Sequence, residues 1–458
     1  MLSRLKQKTN NYGHSKKWRN YQLELKKLDE KRRSYRRIPL YAILLCALVL
    51  ITKGVFMFLD TTIKTKDINY SLIFDEQVEK FDKNTLQKII RQLHYTNGSD
   101  QNFEIKTAGK TYQIESSIDP FLQEFIIDHI DRKNSKHFGF VAMDPETGRI
   151  LSMVSYDRNS KDSNICLTPD YPAASLFKII TAAAVIEKCG FTCNTPVTFN
   201  DNKYTLYKSQ LKNRTNKYTN QITFEESFAG SVNPVFGKIG KNRLGKSTLE
   251  SYAAAFGFNQ SFNFEIPFSP SSVSISDDPY NWAEIASGFN NETHISPLHG
   301  ALLISSIVNN GKLFEPTLID SISKNDEIVY QRDSHIISDP IKPYTATTLK
   351  ELMNATISSG TASKSFSKFK KDKILSRLNI GGKTGSINNN AQRLKYDWFA
   401  GFAEEKNGSN KIVVSVLVVH QDYIGTRAAS YSRMAIKEYF KNYYANINKQ
   451  QEKGSAAL

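Results

Sequence analysis

Four cysteines, eight histidines and three tryptophans in 458 residues leave this chain without staples and with few metal ligands. Four Cys cannot brace a chain of this length as a disulfide scaffold. The His residues form no HExxH, and no second Cys/His pair completes a zinc site beside Cys189 and Cys193, so no metal and no other cofactor is expected. With 23 Gly and 14 Pro the chain is neither collagen-like nor low-complexity, and 27 Phe with 22 Tyr supply too much burial surface for disorder throughout. No G-x-S-x-G occurs, which removes the nucleophile-elbow class of serine hydrolase.

What is present is charge, unevenly placed. A net +16 suggests nucleic acid until it is mapped: residues 1–37 hold 13 Lys and Arg against three acids, a net +10, and the other 421 residues carry only +6. Directly after this block, residues 38–59 form a run of 22 with Lys53 as its one charge. A run of about 20 apolar residues spans a hydrocarbon core of roughly 30 Å, and a lysine near its end snorkels to the interface. The leader is too long for a signal peptide, and the run offers no small-x-small cleavage site before Asp60. An uncleaved anchor in the cytoplasmic membrane is expected, with the basic N-terminus in the cytoplasm and everything after Asp60 outside. The basic segment then serves as a topology signal touching anionic headgroups, or as a partner helix, and nucleic acid is not an expected partner. Outside the cell a Cys189–Cys193 clip and three free thiols, Cys166 included, are both open readings.

Residues 60–112 are polar, without repeat or long apolar face, and read as a short stalk. A folded domain is expected over 113–445 and a frayed tail over 446–458. Strand patterns at 111–117, 138–144 and 149–156 precede a stretch of helical patterns between 175 and 352, including 176–188, 223–239, 247–256, 297–310 and 345–358. Strands return at 373–386, 396–403 and 411–419, before a last helix over 432–444. Pro145-Glu146-Thr147-Gly148 should turn the second and third strands into a hairpin. The expected fold is α+β: one antiparallel sheet built from both ends of the domain and covered by helices.

Three short motifs carry chemistry. Ser175-Leu176-Phe177-Lys178 opens an apolar helical run, and residues three apart share a helix face, so the Lys178 amine can take the Ser175 proton. A helix start also offers free N–H groups to an oxyanion. S-x-x-K alone proves little, because it occurs six times here. The one at Ser175 stands out by heading Thr181-Ala182-Ala183-Ala184, a segment that must be buried. Ser231-Val232-Asn233 is weak by itself, since Ser261, Ser323 and Ser386 also begin an S-x-N. Lys383-Thr384-Gly385-Ser386 holds the single KTG, with Gly381-Gly382 before it leaving a bare strand backbone for a substrate to lie along. A second cation near Lys178 would lower that amine's pKa toward a useful base.

In their order and spacing these motifs resemble those of the penicillin-binding D,D-transpeptidases, whose fold is shared with serine β-lactamases. Further stretches fit: Ile118-Asp119-Pro120, Ser296-Pro297-Leu298, Asn309-Asn310-Gly311, Ser359-Gly360-Thr361-Ala362 and Trp398-Phe399-Ala400-Gly401. The resemblance spans about 113–445. It implies Ser175 as the acylated nucleophile, Lys178 as its base and Ser231 as the relay to the leaving amine. Asn233 would hold the donor peptide's amide, and Lys383 and Thr384, with Gly385 and Ser386 beside them, its terminal carboxylate. The N–H groups of Ser175 and Ser386 would bind the oxyanion. Ser386 departs from the family's common Thr. The implied substrates are peptidoglycan stem peptides ending in D-Ala-D-Ala, with β-lactams as mimics. No glycosyltransferase module fits between the anchor and the domain, which points to a separate glycosyltransferase partner. A membrane-anchored β-lactamase, a D,D-carboxypeptidase and a non-catalytic binding module remain alternatives.

Overall fold

The computed structural model describes Lys27 and residues 81–92, 97, 101–107, 109–161, 163–389 and 391–456. The expected anchor at 38–59 and nearly all of the basic segment lie outside the described residues. Among the described residues no helix is long and apolar enough to cross a membrane.

Residues read as stalk are folded in part. Helix α1 (Lys83–Gln92) and the hairpin of β1 (Asn102–Thr107) and β2 (Lys110–Ser116) precede α2 (Pro120–His129). Strand β2 pairs on its other side with a distant strand, Ile319–Lys324, aligning Ile114 with Ile322. Leu86, Ile89 and Ile90 of α1 pack on Ile105, Tyr112, Ile114, Ile319 and Ile322, and burying one such side chain is worth roughly 1.5–3 kcal/mol. The apolar stripe of α1 is only two turns long, so its partner surface becomes visible only once chain ends some 200 residues apart are joined.

The main sheet follows the expected plan. Strands β3 (Ser135–Met143) and β4 (Ile150–Asp157) form the hairpin, and the Asp144 carboxylate accepts from Glu146 N and Thr147 Oγ1 to set its turn. Gly148 sits there at φ +76, where a Cβ would lie 2.0 Å from Glu315 O. The middle of the chain supplies α3 (Lys178–Cys189), α4 (Phe224–Ala229), α5 (Asn233–Ile239), α6 (Gly245–Ala255), α7 (Pro279–Ser287), α8 (Pro297–Val308) and α9 (Pro343–Ser358). It is not wholly helical. Strands β5 (Ile319–Lys324) and β6 (Glu327–Gln331) interrupt it, joined by Asn325 and Asp326 at φ +49 and +65, the paired left-handed residues of a tight hairpin turn.

Strands β7 (Leu378–Asn389), β8 (Leu394–Glu405) and β9 (Lys411–His420) complete a five-stranded antiparallel sheet of order β7-β8-β9-β3-β4. Val413 and Leu417 of β9 join the core on the α8 side, while Val414, Val416 and Val418 join the core under the last helix, α10 (Ala428–Ala456). Burial on both faces explains why β9 reads as a continuous apolar run rather than an alternating one. Helix α10 continues to Ala456, well into the stretch read as a frayed tail. Cys166, Cys189 and Cys193 are free thiols here, and burial pushes the Cys166 thiol up to about 12.

Candidate active site

Ser175 lies in a 3-10 turn, Ala174–Phe177, that runs straight into α3. The three-residue spacing brings Lys178 Nζ to 2.8 Å from Ser175 Oγ. The turn is entered through Ala174 at φ +48, a left-handed conformation that costs a non-glycine residue about 1 kcal/mol or more. Two contacts hold it. Buried Trp398 of β8 donates Nε1–H to Pro172 O at 2.9 Å, and Gly288, closing α7 at φ +61, lies so near that a Cβ would stand 1.9 Å from Ala174 O. Trp398→Phe strands that buried carbonyl. We expect about 1–3 kcal/mol of lost stability, read by urea unfolding.

The helix expected over 223–239 is broken where the chemistry needs it. Thr223 and Glu226 form a capping box that starts α4, and Pro234, lacking an N–H, suits the first turn of α5. Between them Ser231 sits at φ +56 and donates its hydroxyl to Ser175 Oγ at 2.9 Å. Lys383 Nζ, from β7, donates to Ser231 Oγ at 3.0 Å and to Thr384 O at 3.0 Å. Asn233 Oδ1 accepts from Lys178 Nζ at 2.7 Å, while its Nδ2 donates to Tyr204 O at 2.9 Å. Lys178 also donates to the carbonyl of Ser287, the last residue of α7.

The electrostatics follow from burial. Lys178 and Lys383 are both fully buried. Burial first, and the charge of Lys383 second, hold Lys178 well below the usual lysine range; burial pushes Lys383 down to about 7. A neutral lysine amine keeps two N–H donors and one lone pair. Asn233 Oδ1 and Ser287 O take the two donors, which aims the lone pair at the Ser175 hydroxyl. Ser175 therefore faces a base on one side and a donating hydroxyl, itself backed by a lysine, on the other.

Strand β7 is an edge of its sheet, open to an extended peptide. At Gly385 a Cβ would lie 3.4 Å from both Ala173 O and Ala174 Cβ, so this edge runs beside the Ser175 turn. Thr384 is half-buried with its Oγ1 2.5 Å from Thr361 Oγ1, and Ser386 is exposed. The structure thus joins Ser175, Lys178, Ser231, Asn233 and Lys383 in one bonded network and sets Thr384, Gly385 and Ser386 along the strand beside it. Ser287, Gly288 and Tyr204 were not legible as site residues. Thr361 lies in a stretch that fits the family, Ser359-Gly360-Thr361-Ala362, without a role attached. Among the described residues no three His, Cys, Asp or Glu side chains are placed to hold a metal ion.

Residues 138–442 match the family model of the penicillin-binding protein transpeptidase domain. The chain belongs to this family of penicillin-binding transpeptidases. Among curated proteins this chain is 23% identical over 299 residues to stage V sporulation protein D of Bacillus subtilis, covering 61% of this chain and 44% of that one. It is 25% identical over 321 residues to the peptidoglycan D,D-transpeptidase PbpA of Mycolicibacterium smegmatis, covering 61% of each. The match thus spans less than two-thirds of either relative. Among solved structures, PBPA from Mycobacterium tuberculosis superposes with a TM-score of 0.58 at 23% identity, over 71% of this chain and 81% of that one. The imipenem acyl-enzyme complex of penicillin-binding protein A from the same organism gives 0.56 at 20% identity, over 78% and 84%. These likenesses show the α+β transpeptidase fold.

Proposed function

We propose that this chain is a peptidoglycan D,D-transpeptidase, held outside the bacterial cytoplasmic membrane by residues 38–59 with its basic N-terminus in the cytoplasm. The observation that carries the reading is the unbroken network Lys383–Ser231–Ser175–Lys178–Asn233, in which two buried lysines flank a bonded pair of hydroxyls. Neutral Lys178 takes the Ser175 proton as Oγ attacks the carbonyl of the penultimate D-Ala of a stem peptide. The N–H groups of Ser175 and Ser386 receive the oxyanion. Ser231 passes a proton to the departing amine of the terminal D-Ala, steadied by Lys383, and the ester on Ser175 remains. An amine of a second stem then attacks that ester and closes the cross-link; water in its place would make a carboxypeptidase. Lys383, Thr384 and Ser386 would bind the donor's terminal carboxylate, and Asn233 its amide. A β-lactam would acylate Ser175 in the same way, but its leaving amine stays tethered.

Incubating the full chain in detergent with fluorescent penicillin should give an adduct of one drug per chain that persists for hours and maps by digestion to the Ser175 peptide. A D-Ala-D-Ala peptide should release D-Ala and, with an added acceptor amine, yield the transfer product. Rapid loss of the adduct with drug turnover would move the assignment to a β-lactamase, and neither adduct nor release would leave a binding module. A separate glycosyltransferase partner belongs to the same reading. Repeated pull-downs of the full chain that recover no glycan polymerase would count against it.

A further inference from the structure

Between the paired strands Pro196–Phe199 and Asn220–Thr223 the chain makes a 20-residue excursion, residues 200–219. Excursions of this length inside a compact domain are usually functional or disordered. This one is built. Gln210 is fully buried and donates Nε2–H to Asn200 O at 3.1 Å and Asn202 O at 3.0 Å, while its Oε1 accepts from Tyr207 N at 2.8 Å. Leu206 and Leu211 pack on Ala283 of α7, and the Tyr280 hydroxyl donates to Leu206 O at 2.7 Å.

The outward face has a different composition from its anchored interior. Lys203, Lys208, Lys212, Arg214 and Lys217 are all exposed, against the single acid Asp201, a local net charge of +4. Tyrosines alternate with them: Tyr204 is 52% exposed, Tyr207 61% and Tyr218 73%. Lys203 Nζ stands over the Tyr204 ring at 5.0 Å and Lys217 Nζ over the Tyr218 ring at 4.9 Å, which fixes ammonium groups on rigid aromatic supports. Glu284 of α7 feels the charge of Lys208, but its carboxyl is held above its usual range mainly by burial.

This face is continuous with the site. Lys203 O accepts from Asn233 N at 2.8 Å and Tyr204 O from Asn233 Nδ2 at 2.9 Å, and Asn233 in turn binds Lys178. Lys203 and Tyr204 thus border, through their backbone, the residue that bonds the Ser175 base. We infer that residues 203–218 form a subsite for the carboxylate-bearing part of an acidic peptide, read by lysines on tyrosine faces and selecting among peptides by their free carboxylates. The inference rests on the transpeptidase reading of the same site. A lipid surface could supply anions too, but the direct bonding of Lys203 and Tyr204 to Asn233 favours a ligand that also occupies the serine.

The test uses the full chain in detergent and two synthetic peptides ending in D-Ala-D-Ala, one with a free carboxylate upstream of the D-Ala pair and one with that group amidated. D-Ala release should show a kcat/KM about 10-fold higher for the acidic peptide, falling toward parity at 0.5 M salt, as exposed charge pairs do. In Lys203→Ala/Lys208→Ala/Lys217→Ala the ratio should fall to about 1, with the amidated peptide as internal reference for a properly folded site. Equal rates for the two peptides in the parent chain, or an undiminished ratio in the triple variant, overturn the subsite while leaving the transpeptidase standing. Absence of both D-Ala release and penicillin labelling overturns the two together. A triple variant that keeps the peptide ratio but loses binding to vesicles containing phosphatidylglycerol assigns the face to a membrane surface instead.

Discussion

Lys178→Met slows covalent labelling by penicillin about 1,000-fold, the scale expected when a positioned general base is removed. The pH profile should show why. In the parent chain the acylation rate rises as Lys178 loses its proton, and burial together with the Lys383 charge moves that limb well below the usual lysine range. It falls again as Lys383, pushed down to about 7, becomes neutral and no longer attracts an anionic ligand. In the complex the ligand's carboxylate supports the Lys383 charge, so kcat declines at higher pH than kcat/KM. The Met variant should lose the rising limb. It should also melt higher in acid: a base whose folded pKa lies below its unfolded value binds more protons when unfolded, so the burial penalty is full at low pH. That penalty shrinks as pH climbs toward 10.5, and the gain in Tm should shrink with it. A Tm gain independent of pH would mean that Lys178 is buried without electrostatic cost.

The second large effect comes from a residue with no side chain. Gly288→Ala should unfold the Ser175 turn locally, because its Cβ would stand 1.9 Å from Ala174 O and 2.5 Å from Ala174 C, and neither atom is the end of a flexible side chain. We expect at least a 100-fold loss of labelling and about 3 kcal/mol or more of stability, the range reserved for buried steric conflict. Gly190→Ala is the matched control. Gly190 closes α3 at φ +66, close to the +61 of Gly288, yet nothing lies within 4 Å of a Cβ there. It should cost only about 1 kcal/mol from backbone conformation and leave labelling intact. If the two variants behave alike, the left-handed φ matters and the contact with Ala174 does not.

Where the sequence could be read and where it could not divides along chain separation. The Ser175–Lys178 contact needs only helical spacing, and the β3–β4 hairpin only its turn residues and two short strand patterns. The continuous helix expected over 223–239 failed at Gly230-Ser231-Val232 because helical propensity there is outweighed by contacts to Ser175 and Lys383, 56 and 152 residues from Ser231. The polar stretch before residue 112 concealed the helix α1 and the strand β1, because the apolar partners of this layer arrive with β5, some 200 residues later, whereas β2 falls on the strand pattern read at 111–117.

By itself the sequence determined the Ser175–Lys178 pair, the KTG strand and a sheet assembled from both ends of the domain. These rest on local periodicity and on the order and spacing of three short motifs. Tertiary structure alone decided which carbonyl fills the second N–H of Lys178, which glycine lets the turn close, and which segment borders Asn233. Such choices depend on where distant backbone atoms come to rest once the core has packed. A carbonyl such as that of Ser287 is the same in every residue, so its role is invisible until the fold has put it beside Lys178.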